Sequence, residues 1–312
     1  MSWALVADIG GTSCRLGRWE AEELRNVIRV PTGPDLSNRI VTYIRHQEMS
    51  PDAIVLAAAG VQSGSELTLT NNDATVDLAL LQTQFPQTEI SILNDFEAAA
   101  WAVGASSNSA LTFLQGDTLQ GGVRLAAGIG TGFGVGLWTG SDVLQTEGGH
   151  LAIYPHSDWE ARVFQAVASI WPEVATGMGH GIEAEAILSG TGLPILHAAV
   201  CSIAGGGTDL VPADEILRSA ADGAPRAAAT AAIFSSHLGR ALGDLFVVTW
   251  ATGGLVLMGG VLCKNQWLID DAFWSGLHAG GRYSENRRSV PLALWDSDDV
   301  GLLGAGQYTR RR

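Results

Sequence analysis

Leu93-Asn94-Asp95-Phe96-Glu97-Ala98 joins an Ile-rich segment, Glu89 to Leu93, to an Ala-rich one. The first reads as a buried strand and the second as a helix, so Asn94 and Asp95 fall where a strand ends and a helix begins. Open α/β sheets present their ligands at that position. Two glycine-rich runs flank the stretch in sequence: Asp8-Ile9-Gly10-Gly11-Thr12 before it and Gly128-Ile129-Gly130-Thr131-Gly132-Phe133-Gly134 after it. Each ends an apolar strand, Leu5 to Ala7 and Val123 to Ile129. Turns without side chains let backbone N–H groups approach phosphate oxygens closely. Thr12 and Thr131 add hydroxyl donors. Asp8 can hold Mg2+ through water, because that ion keeps much of its hydration shell and takes one or two carboxylates. A nucleotide on glycine loops and a carboxylate base aimed at an alcohol make up the components of a small-molecule kinase.

Composition bounds the remaining choices. A chain of 312 residues buries a sizeable core and suggests about two domains. Hydrophobic residues are 46% and charged residues 16%, as in a globular enzyme rather than a disordered chain. The formal net charge of −14 argues against a nucleic-acid or anionic-membrane surface, which needs clustered Lys and Arg. The one basic run is Arg310-Arg311-Arg312. Cys14, Cys201 and Cys263 are too far apart for a zinc site and suggest no disulfide framework, which fits a reduced cytoplasmic protein. Leu242 to Leu262 is apolar enough to test as a membrane span, but it holds Asp244 and five glycines. It reads better as a buried helix ending near Thr252, a strand from Leu255 to Met258, and a turn.

Along the chain, strands that form hairpins and then feed helices recur in both halves. Cys14 to Trp19 is the hairpin partner of the first strand, and Ala53 to Ala59 is a buried strand. Asp35 to Gln47 has helical spacing, Val76 to Gln84 suggests a short helix, and Glu97 to Val103 continues the Asp95 motif as a helix. After the strands Val123 to Ile129, Gly134 to Trp138 and Asp142 to Gln145, the pattern turns helical at Ser157 to Ile170, Glu183 to Leu188, Gly192 to Ile203, Ala213 to Ala221 and Ala224 to Trp250. These features predict an α/β protein of two domains with mixed sheets and a central cleft. The small domain covers 1–108, and a final helix, about 300–312, packs back onto it. The large domain covers 109–299 with a helical insertion at about 157–223.

Three further motifs carry chemistry. Thr252-Gly253-Gly254 and Gly259-Gly260 flank a short strand, where bare backbone would let an adenine lie flat; a tight helix-to-strand connection explains them nearly as well. Glu147-Gly148-Gly149-His150 puts a carboxylate and an imidazole around a turn, able to accept from and donate to a polyol. No third ligand for a metal is near it in sequence. Glu183 and Glu185 lie in an apolar stretch read as helix.

In this order, the motifs resemble those of the bacterial glucokinases of the ATP-dependent, zinc-free group, members of the sugar kinase, actin and Hsp70 ATPase superfamily. The resemblance runs essentially end to end. It rests on Asp8-Ile9-Gly10-Gly11-Thr12 with Arg15-Leu16, Asn94-Asp95-Phe96-Glu97-Ala98, Gly130-Thr131-Gly132 with Gly134, Glu147-Gly148-Gly149-His150, Leu188-Ser189-Gly190 with Gly192-Leu193, and Gly253-Gly254 with Gly259-Gly260. It implies two actin-like (ribonuclease H-like) domains and ATP-dependent phosphorylation of glucose at its 6-hydroxyl. Asp95 would be the general base. Asn94, Glu147, His150 and Glu185 would bind the other hydroxyls, with Asn71 in the sugar-side loop. Asp8, Ile9, Gly10, Gly11, Thr12, Gly130, Thr131, Gly132, Gly253, Gly254, Gly259 and Gly260 would hold ATP, with Asp8 near Mg2+. The match before Leu-Ser-Gly selects Glu185 over Glu183, and the resemblance also implies a homodimer. Ser13, Ala74 and the Ala58-Ala59-Gly60-Val61 segment depart from the family pattern, which usually has Asn, Trp and a Pro there. The latter two lie toward the sugar side, so another hexose (mannose, fructose or an amino sugar) or a catalytically silent sugar-responsive regulator stands as the alternative.

Overall fold

The computed structural model describes residues 2–70, 74–177 and 180–311. The chain begins with strands β1 (Ala4–Ile9), β2 (Ser13–Glu20) and β3 (Glu23–Pro31), then helix α1 (Leu36–Arg45) and strand β4 (Ala53–Ala58). Three short strands follow, β5 (Gly60–Ser63), β6 (Glu66–Leu69) and β7 (Thr75–Asp77), then α2 (Leu78–Gln84), β8 (Glu89–Leu93) and α3 (Asp95–Ala105). Next come β9 (Thr112–Gln115), β10 (Arg124–Ile129), β11 (Phe133–Trp138), β12 (Val143–Gln145) and β13 (Ala152–Ile153). After α4 (Asp158–Ile170) and β14 (Ile182–Glu183), helices α5 (Gly192–Ile203), α6 (Ala213–Ala221) and α7 (Pro225–Thr249) lead to β15 (Gly254–Met258). The chain ends with α8 (Gly260–Lys264), α9 (Asp271–His278), α10 (Ser284–Ser289), β16 (Leu292–Leu294) and α11 (Val300–Tyr308). Two compact units result: residues 1–106, 136–145 and 297–312, and residues 107–135 with 146–296.

The first unit is built on a five-stranded sheet in the order β3-β2-β1-β4-β8. β1 pairs antiparallel with β2 and parallel with β4, and β4 pairs parallel with β8. The period-2 alternation of a strand explains how one apolar run serves two cores. Leu5, Ala7 and Ile9 of β1 join Ile54 and Leu56 against Leu36, Ile40 and Ile44 of α1 and Leu81 of α2. Ala4 and Val6 join Val55, Ala57 and Leu93 against Ala98 and Trp101 of α3 and Leu302 and Ala305 of α11. Each fully buried Leu or Ile there contributes about 1.5–3 kcal/mol. Small residues let α3 and α11 pack closely: a Cβ at Gly304 would lie 1.7 Å from the Ala98 carbonyl oxygen.

The second sheet has the order β12-β11-β10-β15-β16-β9, with β10, β15 and β16 mutually parallel. α7 is long and apolar enough to cross a membrane by length and composition alone. Here it packs against α5, α6 and α9, and 61% of its apolar window is buried. A Cβ at Gly239 would meet the Phe273 carbonyl oxygen at 2.1 Å, so that helix crossing requires glycine.

Two local expectations are corrected and one strand is added. Val76 to Gln84 is not one helix: β7 runs to Asp77, whose Oδ1 then caps α2 by accepting the Leu80 N–H at 2.8 Å. Glu183 to Leu188 is not a helix either, but the end of β14 followed by a 3-10 turn, Ala184–Ala186. β3, unread in the sequence, is an edge strand whose residues are mostly exposed, so no alternating apolar pattern marks it.

Candidate active site

In the first unit, parallel registry decides what lies near Asp8. Asp8 pairs with Ala57 and Ala57 with Leu93, so Asp8 and Leu93 are level across two strand spacings, about 10 Å. The chain leaves β8 at Leu93 and turns into α3 at Asp95. Asp8 and Asp95 therefore stand at the same, carboxyl, end of the sheet, as the sequence reading expects. Asn94 caps α3, with extended backbone and Oδ1 accepting the Phe96 N–H at 2.8 Å. That fixes Asp95 as the first helical residue, where the helix dipole favours a carboxylate. Asp95 Oδ1 also accepts the Phe96 N–H, at 3.0 Å.

The hairpin between β1 and β2 closes through the Gly10 N–H, which donates to the Ser13 carbonyl at 3.1 Å. Arg15 on β2 donates to Asp8, Nη2 to Oδ2 at 2.9 Å. Burial pushes the Asp8 carboxyl up, against the lowering pull of Arg15, and Asp299 and Asp298 add to the rise. Gly301, in the first turn of α11, faces this carboxylate: a Cβ there would lie 2.6 Å from Asp8 Cγ. Sequence reading missed Gly301, and no local signal marks it.

In the second unit, β10 and β15 end side by side, with Gly128 paired to Met258. Their glycine runs, Gly130-Thr131-Gly132 and Gly259-Gly260, leave the same sheet end. Gly259 has φ +97°, and a Cβ on it would meet the Ile129 carbonyl oxygen at 2.4 Å. Gly253 and Gly254 are not with them. They sit at the amino end of β15, about 15 Å along the strand. There Gly253 packs on the carbonyls of Gly122 and Val123, so a tight backbone crossing accounts for it.

The Gly130 loop is tied down by the segment after Glu185. The Gly190 N–H donates to the Gly130 carbonyl at 2.8 Å and the Thr191 N–H to the Thr131 carbonyl at 3.1 Å. Ser189 Oγ donates to the Glu185 carbonyl and accepts from the Gly192 N–H, which explains the Leu-Ser-Gly motif physically. The Glu185 carboxylate itself crosses to the loop, its Oε2 accepting the Phe133 N–H at 2.8 Å.

Glu147 to His150 forms a 3-10 turn laid on β11, with Gly149 so close to the Phe133 carbonyl that a Cβ would lie 1.7 Å from its oxygen. Phe133 thus brings the turn and Glu185 to one place. Glu147 is exposed and His150 half-exposed, with Nε2 4.0 Å from Glu147 Oε2. His150 Nδ1 lies 2.9 Å from Glu183 Oε2. This bond, then burial acting the other way, then the Glu185, Glu183 and Glu147 charges leave the His150 imidazole above its ordinary range. In the sequence the match before Leu-Ser-Gly selects Glu185 over Glu183; the β13–β14 pairing, Ala152 with Glu183, brings Glu183 beside His150 as well.

Asn71 lies outside the described residues. Among the described residues no group of three or more His, Cys, Asp or Glu could hold a metal ion by itself. A cation near Asp8 must therefore bring other oxygen ligands, as Mg2+ does with phosphate and water. A single hard carboxylate with further acidic neighbours fits that mode.

The Glucokinase family model matches residues 5–312 of this chain. The chain is 29% identical to a glucokinase of Pseudomonas paraeruginosa over 97% of its own length and 91% of that protein's. It is similar to the crystal structure of a glucokinase from an Antarctic psychrotroph, with TM-score 0.84, 25% identity and full coverage of both chains. A glucokinase from Balamuthia mandrillaris, solved in complex with glucose, shares the fold with TM-score 0.81 at 22% identity, covering 99% of this chain and 94% of that one.

Proposed function

The chain belongs to the glucokinase family, with its two-unit actin-like α/β fold, and on that premise we propose how it phosphorylates glucose at the 6-hydroxyl with ATP. The observation that carries the proposal is Asp95, held by the Asn94 cap just past the carboxyl end of β8, whose last residue, Leu93, is level with Asp8. Asp95 accepts the proton of the sugar 6-hydroxyl as that oxygen attacks the terminal phosphorus. The bond to the ADP oxygen breaks in line, and the products are glucose 6-phosphate and ADP. Such a reaction leaves a protein mainly positioning and charge stabilisation to supply. Asn94, Glu147, His150 and Glu185 hold the other hydroxyls, with Asn71 assigned to the same role from sequence. Backbone N–H groups of Gly11 and Thr12, and of Thr131 and Gly132, face the phosphates, while the Gly10 and Gly130 N–H groups close the turns that present them, on the Ser13 and Gly132 carbonyls; Gly259 and Gly260 border the nucleotide. Gly253 and Gly254 are left out of this set because they sit at the far end of β15. Asp8 would hold Mg2+, with Arg15 fixing its carboxylate. When bound, Mg2+ supplies charge neutralisation at the transferring phosphoryl group.

Glucose is the sugar this reading commits to. The test is sugar-dependent ADP release from Mg·ATP, with glucose compared against mannose, fructose and N-acetylglucosamine. A clear preference for glucose is expected, and preference for another hexose would move the specificity while keeping the chemistry. The same reading carries a homodimer and a cytoplasmic location, the first checked by sedimentation.

A further inference from the structure

Glu183 has no part in the reaction as described, yet its Oε2 lies 2.9 Å from Nδ1 of the His150 ring, nearer than Glu147 comes to Nε2. Two backbone constraints hold it there. Ala152 pairs with Glu183 in the β13–β14 ladder, and the Ala184 N–H donates to the Leu151 carbonyl at 2.9 Å. The two residues therefore meet because the segments carrying them run antiparallel and are hydrogen-bonded at Leu151 and Ala184, next to each.

We propose that Glu183 is a positioning residue that fixes the tautomer and aim of His150 and so sets how the site reads one sugar hydroxyl. A carboxylate accepts only, so Nδ1 must carry the proton it donates. The other nitrogen, Nε2, is then turned away from Glu183 toward Glu147, 4.0 Å from its Oε2. That gap is too long for a direct hydrogen bond and fits one hydroxyl oxygen at about 2.8 Å from each. In this geometry neutral Nε2 accepts from the hydroxyl, and protonated Nε2 donates to it. Orientation of an imidazole through its second nitrogen is a general device for fixing which face it presents. The charged groups facing the ring are Glu183, Glu147 and Glu185, and all three favour its protonated form.

The inference rests on His150 being a sugar contact, and the test separates the two claims. KM for glucose, KM for ATP and kcat are measured from about pH 5.5 to 9 for the intact protein and for Glu183→Ala, Glu183→Gln and His150→Asn, with folding checked by circular dichroism. Glu183→Ala is expected to raise KM for glucose about 10-fold or more, the scale of a lost charge-assisted hydrogen bond, while KM for ATP stays within about twofold. Glu183→Gln keeps an acceptor, so its loss is smaller, but the pH midpoint of glucose affinity moves down because the charge that favours protonated His150 is gone. If His150→Asn weakens glucose binding while Glu183→Ala does not, the positioning role is wrong and the sugar contact stands. If His150→Asn has no effect, both fall. An unshifted midpoint in Glu183→Gln, or an equal rise of both KM values in Glu183→Ala, also overturns the proposal.

Discussion

The Glu185 carboxylate accepts the backbone N–H of Phe133 through Oε2 at 2.8 Å. One side chain assigned to the sugar is thereby bonded to the exit of the glycine loop assigned to the phosphates. A Cβ at Gly132 would lie 2.6 Å from the same oxygen, so the contact also depends on glycine in that loop. Glu185→Ala is expected to weaken glucose and ATP binding together, the second by roughly 5- to 10-fold through the lost anchor. Glu147→Ala, on an exposed side chain with no such bond, is expected to affect glucose alone. Calorimetric titration with each ligand separates the two variants.

Gly301 bears on the opposite function, the placement of Asp8. Its missing side chain leaves room for the Asp8 carboxylate, and any Cβ would fall 2.6 Å from Cγ. Gly301→Ala is expected to displace Asp8 from Arg15, lower kcat at least 10-fold and raise the Mg2+ concentration needed for half-maximal rate. A Mg2+ titration of the rate at saturating sugar checks it; an unchanged half-saturation point would show that Asp8 does not serve the cation.

The helix that carries Gly301 is also a stability element. Leu302 is fully buried against Val6, Val55 and Ala98. Leu302→Ala is expected to cost about 2–5 kcal/mol, transfer and cavity terms together, in urea unfolding. Gly304→Ala is expected to cost at least as much, because the clash at 1.7 Å is with backbone that cannot rotate away.

In α4 the cap and a contact with a buried imidazole share one glutamate. Ser157 Oγ accepts the Glu160 N–H at 3.1 Å, while Glu160 Oε2 accepts the His156 N–H at 2.7 Å and lies 3.1 Å from Nε2 of buried His237. Ser157→Ala is expected to cost about 1 kcal/mol. Burial raises the Glu160 carboxyl, but the bonds from His237 and His156 outweigh it and leave it below its ordinary range. A depressed carboxyl contributes stability above its unfolded value and loses it as pH falls through the folded one. Glu160→Gln is therefore expected to lower stability by about 1.5 kcal/mol near pH 7, with the difference shrinking at more acidic pH. Thermal melts at both ends of that range check the sign.

What was legible in the sequence was local. Asn94 caps a helix by its own chemistry, and Asp8-Ile9-Gly10-Gly11 needs a tight hairpin whatever surrounds it, so both motifs stand where expected. Residues whose meaning depends on distant partners were not legible. Glu183 gains its role from a two-residue strand pairing, Gly301 from a helix nearly three hundred residues after Asp8 in sequence. Gly253 and Gly254 are the converse case, at the amino end of β15 rather than with Gly259 and Gly260. Glycine marks close backbone approach without saying to what, and here the neighbour is the chain itself at Gly122 and Val123. The passage of 136–145 into the first unit is likewise a property of packing that no composition shift announces.

The central claim is that Asp95 is the base for phosphoryl transfer to glucose. Its most direct test is glucose-dependent ADP release by the intact protein and by Asp95→Asn, with glucose affinity measured in parallel. Loss of general-base assistance predicts a kcat lower by roughly 10²–10⁴-fold, with glucose affinity changed only severalfold. A folded Asp95→Asn protein that binds glucose and keeps its full turnover would contradict the assignment.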